Sequence, residues 1–517
     1  MKVRLSARKF NFFIFFFLVF FTGIYGGIYL NRNYQISSLK NFLYDKLRLN
    51  NYIKSFNANP ENLELIINEK ALSEINKNRK IAIANGVLSD DLKDYFKAKC
   101  IYRKDTFNVK FKMKGDFSDH WGGKKVSYRI KIKDNKLLNG MSAFSIQDPK
   151  TRYYIYEWIY QRFFDTENTI NLNYYFFNVS INDENKGIYA LEEFFTDELL
   201  KRNYKIKAPI IKISEDNLFY ENNCTHCSDF NEVVDELYLK NDIECYNSKN
   251  LMKDSTQRVY FHNAKSLLSK FRSGELITSQ VFDIKILSRI YAISDLLGGH
   301  HGLSWNNCRF YYNPKTNLLE MIPFDSNSGK FDPSITYTSL DHFYGSDGIY
   351  LFNRQIFDDP TFVSSYLSDL NMVSQTDFLD DFIKINKDDI DNQIKILCID
   401  NYDFDYDIYT KISNRQVQLR QFLNEPKALS FKVNKKEQLE VGNKSSKPIL
   451  ISYIFNSDGQ SLSIPPLILD PKKNFSVVTY QNIETTAPLI NDEKLIFVYN
   501  IFGIKNNYKA QFKYHEI

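Results

Sequence analysis

ISDLLGGHHGLSWNNCRFYYNPKTNLLEMIPFDSNSG, residues 293–329, is the densest run of chemically unusual residues in the chain. Its start belongs to a helix over 280–297. Ile286, Ile290, Ile293 and Leu297 recur at the +4, +3, +4 spacing of one helical face, and Gly298-Gly299 supplies the stop. A polar loop with paired histidines, His300-His301, follows. Two short apolar runs, Cys308 to Tyr312 and Leu318 to Phe324, are then joined by Asn313-Pro314, a turn signal that makes them a hairpin. Asp325 closes the segment. Helix and hairpin in one short stretch call for an α+β domain.

Upstream, Phe107, Val109, Phe111 and Met113 alternate with polar residues, as do Val126, Tyr128, Ile130 and Ile132, the period of strands in a sheet. Residues 151–165 place Ile155, Trp158 and Ile159 on one face of a packed helix. A strand pair follows at 173–191, turning at Asn182 to Asn185. Residues 196–250 are charged and irregular and read as an insertion or lid. Downstream, 359–424 is helical in pattern. From 428 to 517, Val/Ile/Leu alternation with Pro and Gly turns suggests a C-terminal all-β, sandwich-like domain.

At the N-terminus, residues 10–30 (FNFFIFFFLVFFTGIYGGIYL) carry no charge, and about 20 apolar residues in a helix cross a hydrocarbon core. Lys2, Arg4, Arg8 and Lys9 precede them, and positive charge stays on the cytoplasmic side. The run is longer than the apolar part of a cleaved signal and lacks its small-residue end, which favours a retained anchor. The expectation is a cytoplasmic tail (1–9), one transmembrane helix (10–30), a stalk (31–77) and a body outside the cytosol, periplasmic or at the cell surface.

The chain has 67 basic and 62 acidic residues, a net charge of +5, with the cations dispersed along it, so a nucleic-acid partner has no support. Its six cysteines are too few for a disulfide-built scaffold. Cys224, Cys227 and Cys245 lie close together in a polar stretch and suggest one local disulfide, with unpaired thiols or a metal clamp as alternatives.

The order of helix, polar loop, hairpin and acid is that of the catalytic half of a protein kinase. There a loop residue faces the substrate hydroxyl, an Asn five positions on binds a metal, and an Asp after the hairpin binds the same metals. His301, Asn306 and Asp325 occupy those places. Upstream, a glycine-bearing turn after Lys114 leads into a strand with regularly spaced cations, which suits nucleotide phosphates and equally suits an ordinary solvated strand face.

Four segments together resemble the spore coat protein H (CotH) kinase-like family: KMKGDFSDHWGGKKVSYRIKIK, SIQDPKTRYYIYEWIYQRFF, NKGIYALEEFFTDELLKRN and DLLGGHHGLSWNNCRFYYNPKTNLLEMIPFD. The resemblance spans roughly 105–345, extends plausibly to 425, and implies an atypical protein-kinase-like domain over about 78–425. It implies a nucleotide-binding role for Lys125, then Arg129, and for Glu193; metal ligands at Asn306 and Asp325, with Asn327 at the second metal position; and ATP with magnesium or manganese as cofactors. Two departures matter: His301 stands where active members have Asp, and Asn327 where a second acid often follows. Both remove negative charge where a divalent cation would sit, although His301 can still act as a base. A different use of His300 and His301, as transition-metal ligands with Asp325 and His120, is the minor alternative. Two functions follow: phosphoryl transfer from a nucleotide to a protein or glycan hydroxyl, or a pseudo-kinase that binds a partner during envelope polymer assembly.

Overall fold

The computed structural model describes residues 15–16, 18–20, 22, 49–165, 167–215, 230–331, 351–436, 438–462, 466–471, 478, 480–483 and 494–513. Most of the expected span at 10–30 lies outside them, as do Cys224 and Cys227. Among the described residues no helix is long and apolar enough to cross a membrane. Two compact units are present: Pro60–Ile390 with Asp407–Ile517, and the described residues before Pro60 with Asp391–Tyr406. In the smaller unit, the Asn51 amide donates to the carbonyls of Tyr402 and Phe404, both at 3.0 Å.

The larger unit begins with a closed seven-stranded barrel: β1 Asn62–Ile67, β2 Phe96–Tyr102, β3 Asp105–Met113, β4 Tyr128–Ile132, β5 Ala143–Gln147, β6 Tyr174–Ile181 and β7 Glu184–Glu193. The strand order is β1-β2-β3-β4-β5-β7-β6, antiparallel throughout except that β1 pairs with β6 in parallel and closes the ring. Alternation decides what fills it: Leu63, Leu65, Cys100, Phe107, Val109, Phe111, Ile130, Phe144, Ile146 and Val179 point inward and are buried. β1 falls within the stretch read as stalk. Its Leu63, Leu65 and Ile67 alternate over only six residues amid Asn and Glu, too short a run to stand out. The β6–β7 hairpin turns at Asn182-Asp183, both left-handed (φ 49° and 65°), the geometry of a two-residue turn matched to strand twist.

A second sheet has the order β11-β10-β8-β9, with β8 Ile210–Ile213, β9 Ile243–Cys245, β10 Phe310–Asn313 and β11 Leu318–Met321. This corrects the reading of 196–250 as an insertion or lid: β8 and β9 extend the sheet of the 310–321 hairpin and bury Ile210, Ile211, Ile213 and Ile243. Strands of four and three residues are too short for periodicity to reveal. Cys245 is a free thiol, so it takes no part in the expected disulfide.

Helix α1, Ile284–Leu297, carries the predicted stripe and much more, since 11 consecutive-to-near-consecutive positions from Ile286 to Leu297 include Tyr291, Ser294 and Asp295 among the buried residues. It packs on α2, Pro360–Val373. Gly298 ends it in the left-handed conformation (φ 64°). Beyond the helix Ile408–Phe422, two antiparallel sheets form the C-terminal β region. The Phe431 ring of one lies 4.7 Å from Phe497 and 5.6 Å from Phe512 of the other.

Candidate functional site

β3 delivers its even-numbered side chains to the outside of the barrel, and the first beyond its end is Lys114. The Lys114 ammonium donates to Glu192 Oε2 of β7 (2.7 Å) and to Gln147 Oε1 of β5 (2.8 Å). It is almost fully enclosed, and burial, opposed by Glu192, pulls its pKa below the usual lysine value. The chain then doubles back at Gly115 (φ 89°), where a Cβ would lie 2.1 Å from the His120 ring, so only glycine fits. His120 Nδ1 meets Ser127 Oγ at 3.0 Å. Burial and the nearby Arg152 and Lys114 hold its pKa well below 6.5, which keeps the ring neutral.

Arg152 ends a short 3-10 turn, Pro149–Arg152, and both its Nε and its terminal nitrogen grip the Asp325 carboxylate, the latter at 2.9 Å. Both residues are buried, 7 % exposed each. Burial works against the Asp325 charge, but Arg152, helped by His301, outweighs it and lowers the pKa to about 2. The backbone is strained on both sides of the pair: Tyr153 and Tyr154 have φ of 52° and 63°, Asp325 54° and Asn327 49°. Bulky residues in that region are uncommon and persist only where the surroundings over-determine them. Here the clamp is Glu157 of the helix Tyr156–Arg162. It is wholly buried and accepts hydrogen bonds from the backbone N–H groups of Ser326 (3.0 Å) and Asn327 (3.3 Å) and from the Ser326 hydroxyl (2.8 Å). Burial, reinforced by Asp325 and Glu192, pushes the Glu157 carboxyl up to about 7.

Around this core the sequence candidates are distributed unevenly. His301 is half exposed, its Nε2 3.9 Å from Asp325 Oδ2. The amide that meets His301 is Asn307, at 3.2 Å to the ring and 3.0 Å to the backbone carbonyl, whereas the Asn306 side chain accepts from Ser304 Oγ at 2.5 Å. Asn327 joins the site through its backbone. His300 turns away to Asp295 (2.6 Å), which Tyr366 also holds. Arg129 donates to Ser145 Oγ (2.8 Å) with its guanidinium 3.6 Å from the Phe194 ring centroid. Lys125 reaches the Ile188 carbonyl at 2.5 Å. Glu193, on the opposite face of β7 from Glu192, accepts from Arg202 (2.6 Å) and from the Asn173 N–H (2.9 Å). Lys114, Glu192, Arg152, Glu157 and Asn307 were not singled out by the sequence reading. Strand parity could have found Lys114, since it shares the outward register of Lys110 and Lys112.

A divalent cation would have to be held by Asp325 and its neighbours. Asp325 is paired with Arg152, Asn306 is turned to Ser304, and of the acids around Asp325, Glu157 is clamped on backbone N–H groups, Glu192 is paired with Lys114, and Asp119 is half exposed beside His120. Among the described residues no group of three or more His, Cys, Asp or Glu is placed to hold a metal ion, and with His300 on Asp295 the histidine pair does not converge on Asp325. As arranged, these residues do not fit a magnesium site. The cluster instead places three cations, Lys114, Arg129 and Arg152, among Asp325, Glu192, the half-exposed Asp119 and a Glu157 that is half-protonated near neutrality.

A family model described as CotH kinase protein matches residues 111–429, more than half of the chain. No curated protein matches it.

Proposed function

The chain belongs to the CotH kinase family, and on that premise we propose that its protein-kinase-like domain binds a phosphate ester, a nucleotide being the simplest, at the Lys114–Arg152–Asp325 cluster, as a pseudo-kinase without metal-dependent catalysis. The observation that carries this is the convergence of three enclosed cations, Lys114, Arg129 and Arg152, on one cluster whose fourth acid, Glu157, is held protonated by burial below about pH 7. Enclosed, converging cations favour an anion that brings its own charge and acceptor oxygens. The apolar, cation-led segment at 10–30 supports anchoring in the membrane with this domain outside the cytosol, where a role in envelope polymer assembly fits a binding domain.

A second reading, phosphoryl transfer to a protein or glycan hydroxyl, is favoured by one observation. His301 is half exposed beside Asp325, in reach of a hydroxyl from solvent, and a neutral imidazole can take its proton. ATP titrated into the purified chain separates the binding claim from a merely structural cluster. Lys114→Met should weaken ATP binding by about tenfold or more, the loss of one charge-assisted contact. Equal affinity in wild type and Lys114→Met would remove the cluster from the binding site.

A further inference from the structure

We infer that the outer face of the barrel strands β2, β3 and β4 is a docking track for a flexible, phosphate-rich polyanionic chain. Register brings together cations that are scattered in the sequence: Lys97 pairs with Lys110, Lys110 with Lys131, and Lys112 with Arg129. Like charges directly opposite on adjacent strands are destabilising, and here two such rows lie side by side. Only Asp90 near Lys112 and Glu192 near Arg129 act on them from a distance. Among the described residues Lys97, Lys110, Lys112 and Lys131 form no ion pair, and the neighbouring acids Asp90 and Asp116 are both taken by Lys93. What the fold supplies instead is aromatic: Lys112 and Lys131 each lie 5.2 Å from the Tyr95 ring, and Arg129 lies over Phe194. Cation–π contact stabilises a cation without neutralising it, so the positive potential remains available to a ligand. Lys112 and Lys131 also bear the mark of that repulsion: burial with Lys93 and Arg129 lowers the Lys112 pKa, and burial with Arg129 lowers that of Lys131.

The dimensions select the ligand. Cations on neighbouring strands are about 5 Å apart and those two residues apart on one strand about 7 Å, so the three strands present a ribbon about 10 Å wide. The ribbon lies on the convex outside of a closed barrel, which a planar bilayer would touch only along its crest. It also sinks from exposed Lys97 and Lys131 to partly covered Lys112 and Arg129, a path that a single flexible chain can follow and a rigid duplex cannot. The ligand is therefore a polymer of phosphate groups with single-chain flexibility. This goes beyond the reading of the Lys114 cluster, which the test leaves untouched.

The full chain is titrated with long-chain inorganic polyphosphate across a series of salt concentrations, with ATP binding measured in parallel. Lys97→Ala/Lys110→Ala/Lys131→Ala is expected to bind polyphosphate at least tenfold more weakly, with a log–log salt dependence shallower by about 2. The triple Arg variant at the same positions should bind as wild type does, and all forms should bind ATP equally. Unchanged polyphosphate affinity in the Ala variant, or tripolyphosphate binding as tightly as the long chain, overturns the track. Tighter binding of duplex DNA, or of vesicles containing anionic lipid, than of polyphosphate overturns the choice of ligand.

Discussion

Replacing Arg152 by methionine is expected to cost about 3–5 kcal/mol of stability, the penalty for leaving a buried carboxylate without its partner. Asp325 and Arg152 are each 7 % exposed, so water does little to solvate an orphaned Asp325, and Glu157 and Asp119 repel it further. The strained left-handed residues on either side of the pair, Tyr154 and Asp325, also lose the contact that holds them. The double variant Arg152→Met/Asp325→Asn should recover a large part of the loss, because it removes both charges together. Calorimetric unfolding of wild type, both single variants and the double variant measures this directly. Simple additivity of the two single losses would show that the residues do not act as a pair.

The second large effect is on pH dependence. Glu157 has a folded pKa of about 7 against 4.5 for an ordinary glutamate, so between these values the folded protein holds a proton that the unfolded chain has released. Stability therefore falls as pH rises from 4.5 to about 7, by on the order of 3 kcal/mol, and levels off above it. Asp325 acts in the opposite sense and in a different window. Its pKa of about 2 against 3.8 contributes stability that is present above 3.8 and lost as pH falls through about 2. Glu157→Gln keeps an acceptor oxygen for the Ser326 and Asn327 N–H groups and cannot ionise. The urea midpoint of wild type should fall relative to that of Glu157→Gln between pH 5 and 7.5, a difference in which the opposite contribution of His120, present in both proteins, cancels. Parallel pH profiles in the two proteins would exclude Glu157 as the titrating group.

These residues show what could be read from the chain. Asp325 was identifiable because it closes a hairpin after a capped helix, and both elements have strong local signals. The alternation of Phe107 to Met113 and of Val126 to Ile132 likewise marked barrel strands, although nothing local states that seven strands close on themselves. That closure depends on the parallel pairing of β1 with β6, more than 100 residues apart in sequence. Arg152 and Glu157 were hidden for the same reason. Each looks like an ordinary charge at the start of a helix, and its meaning comes from residues about 170 positions away. Choosing between Glu192 and Glu193, or between Asn306 and Asn307, needs the strand face or loop rotation, which adjacent identical residues cannot reveal. The cation rows on β2 to β4 were read as dispersed charge because only the register assembles them.

The most direct test of the central claim is ATP binding by the purified wild-type chain in excess EDTA and in millimolar magnesium or manganese, with γ-phosphate transfer to protein and glycan acceptors followed in the same samples. A cation-rich cluster whose Asp325 is held by Arg152 predicts binding of similar affinity in every condition and no transferred phosphate. Binding that appears only with the metal, accompanied by transfer to an acceptor, would contradict the account and establish the phosphotransferase reading instead.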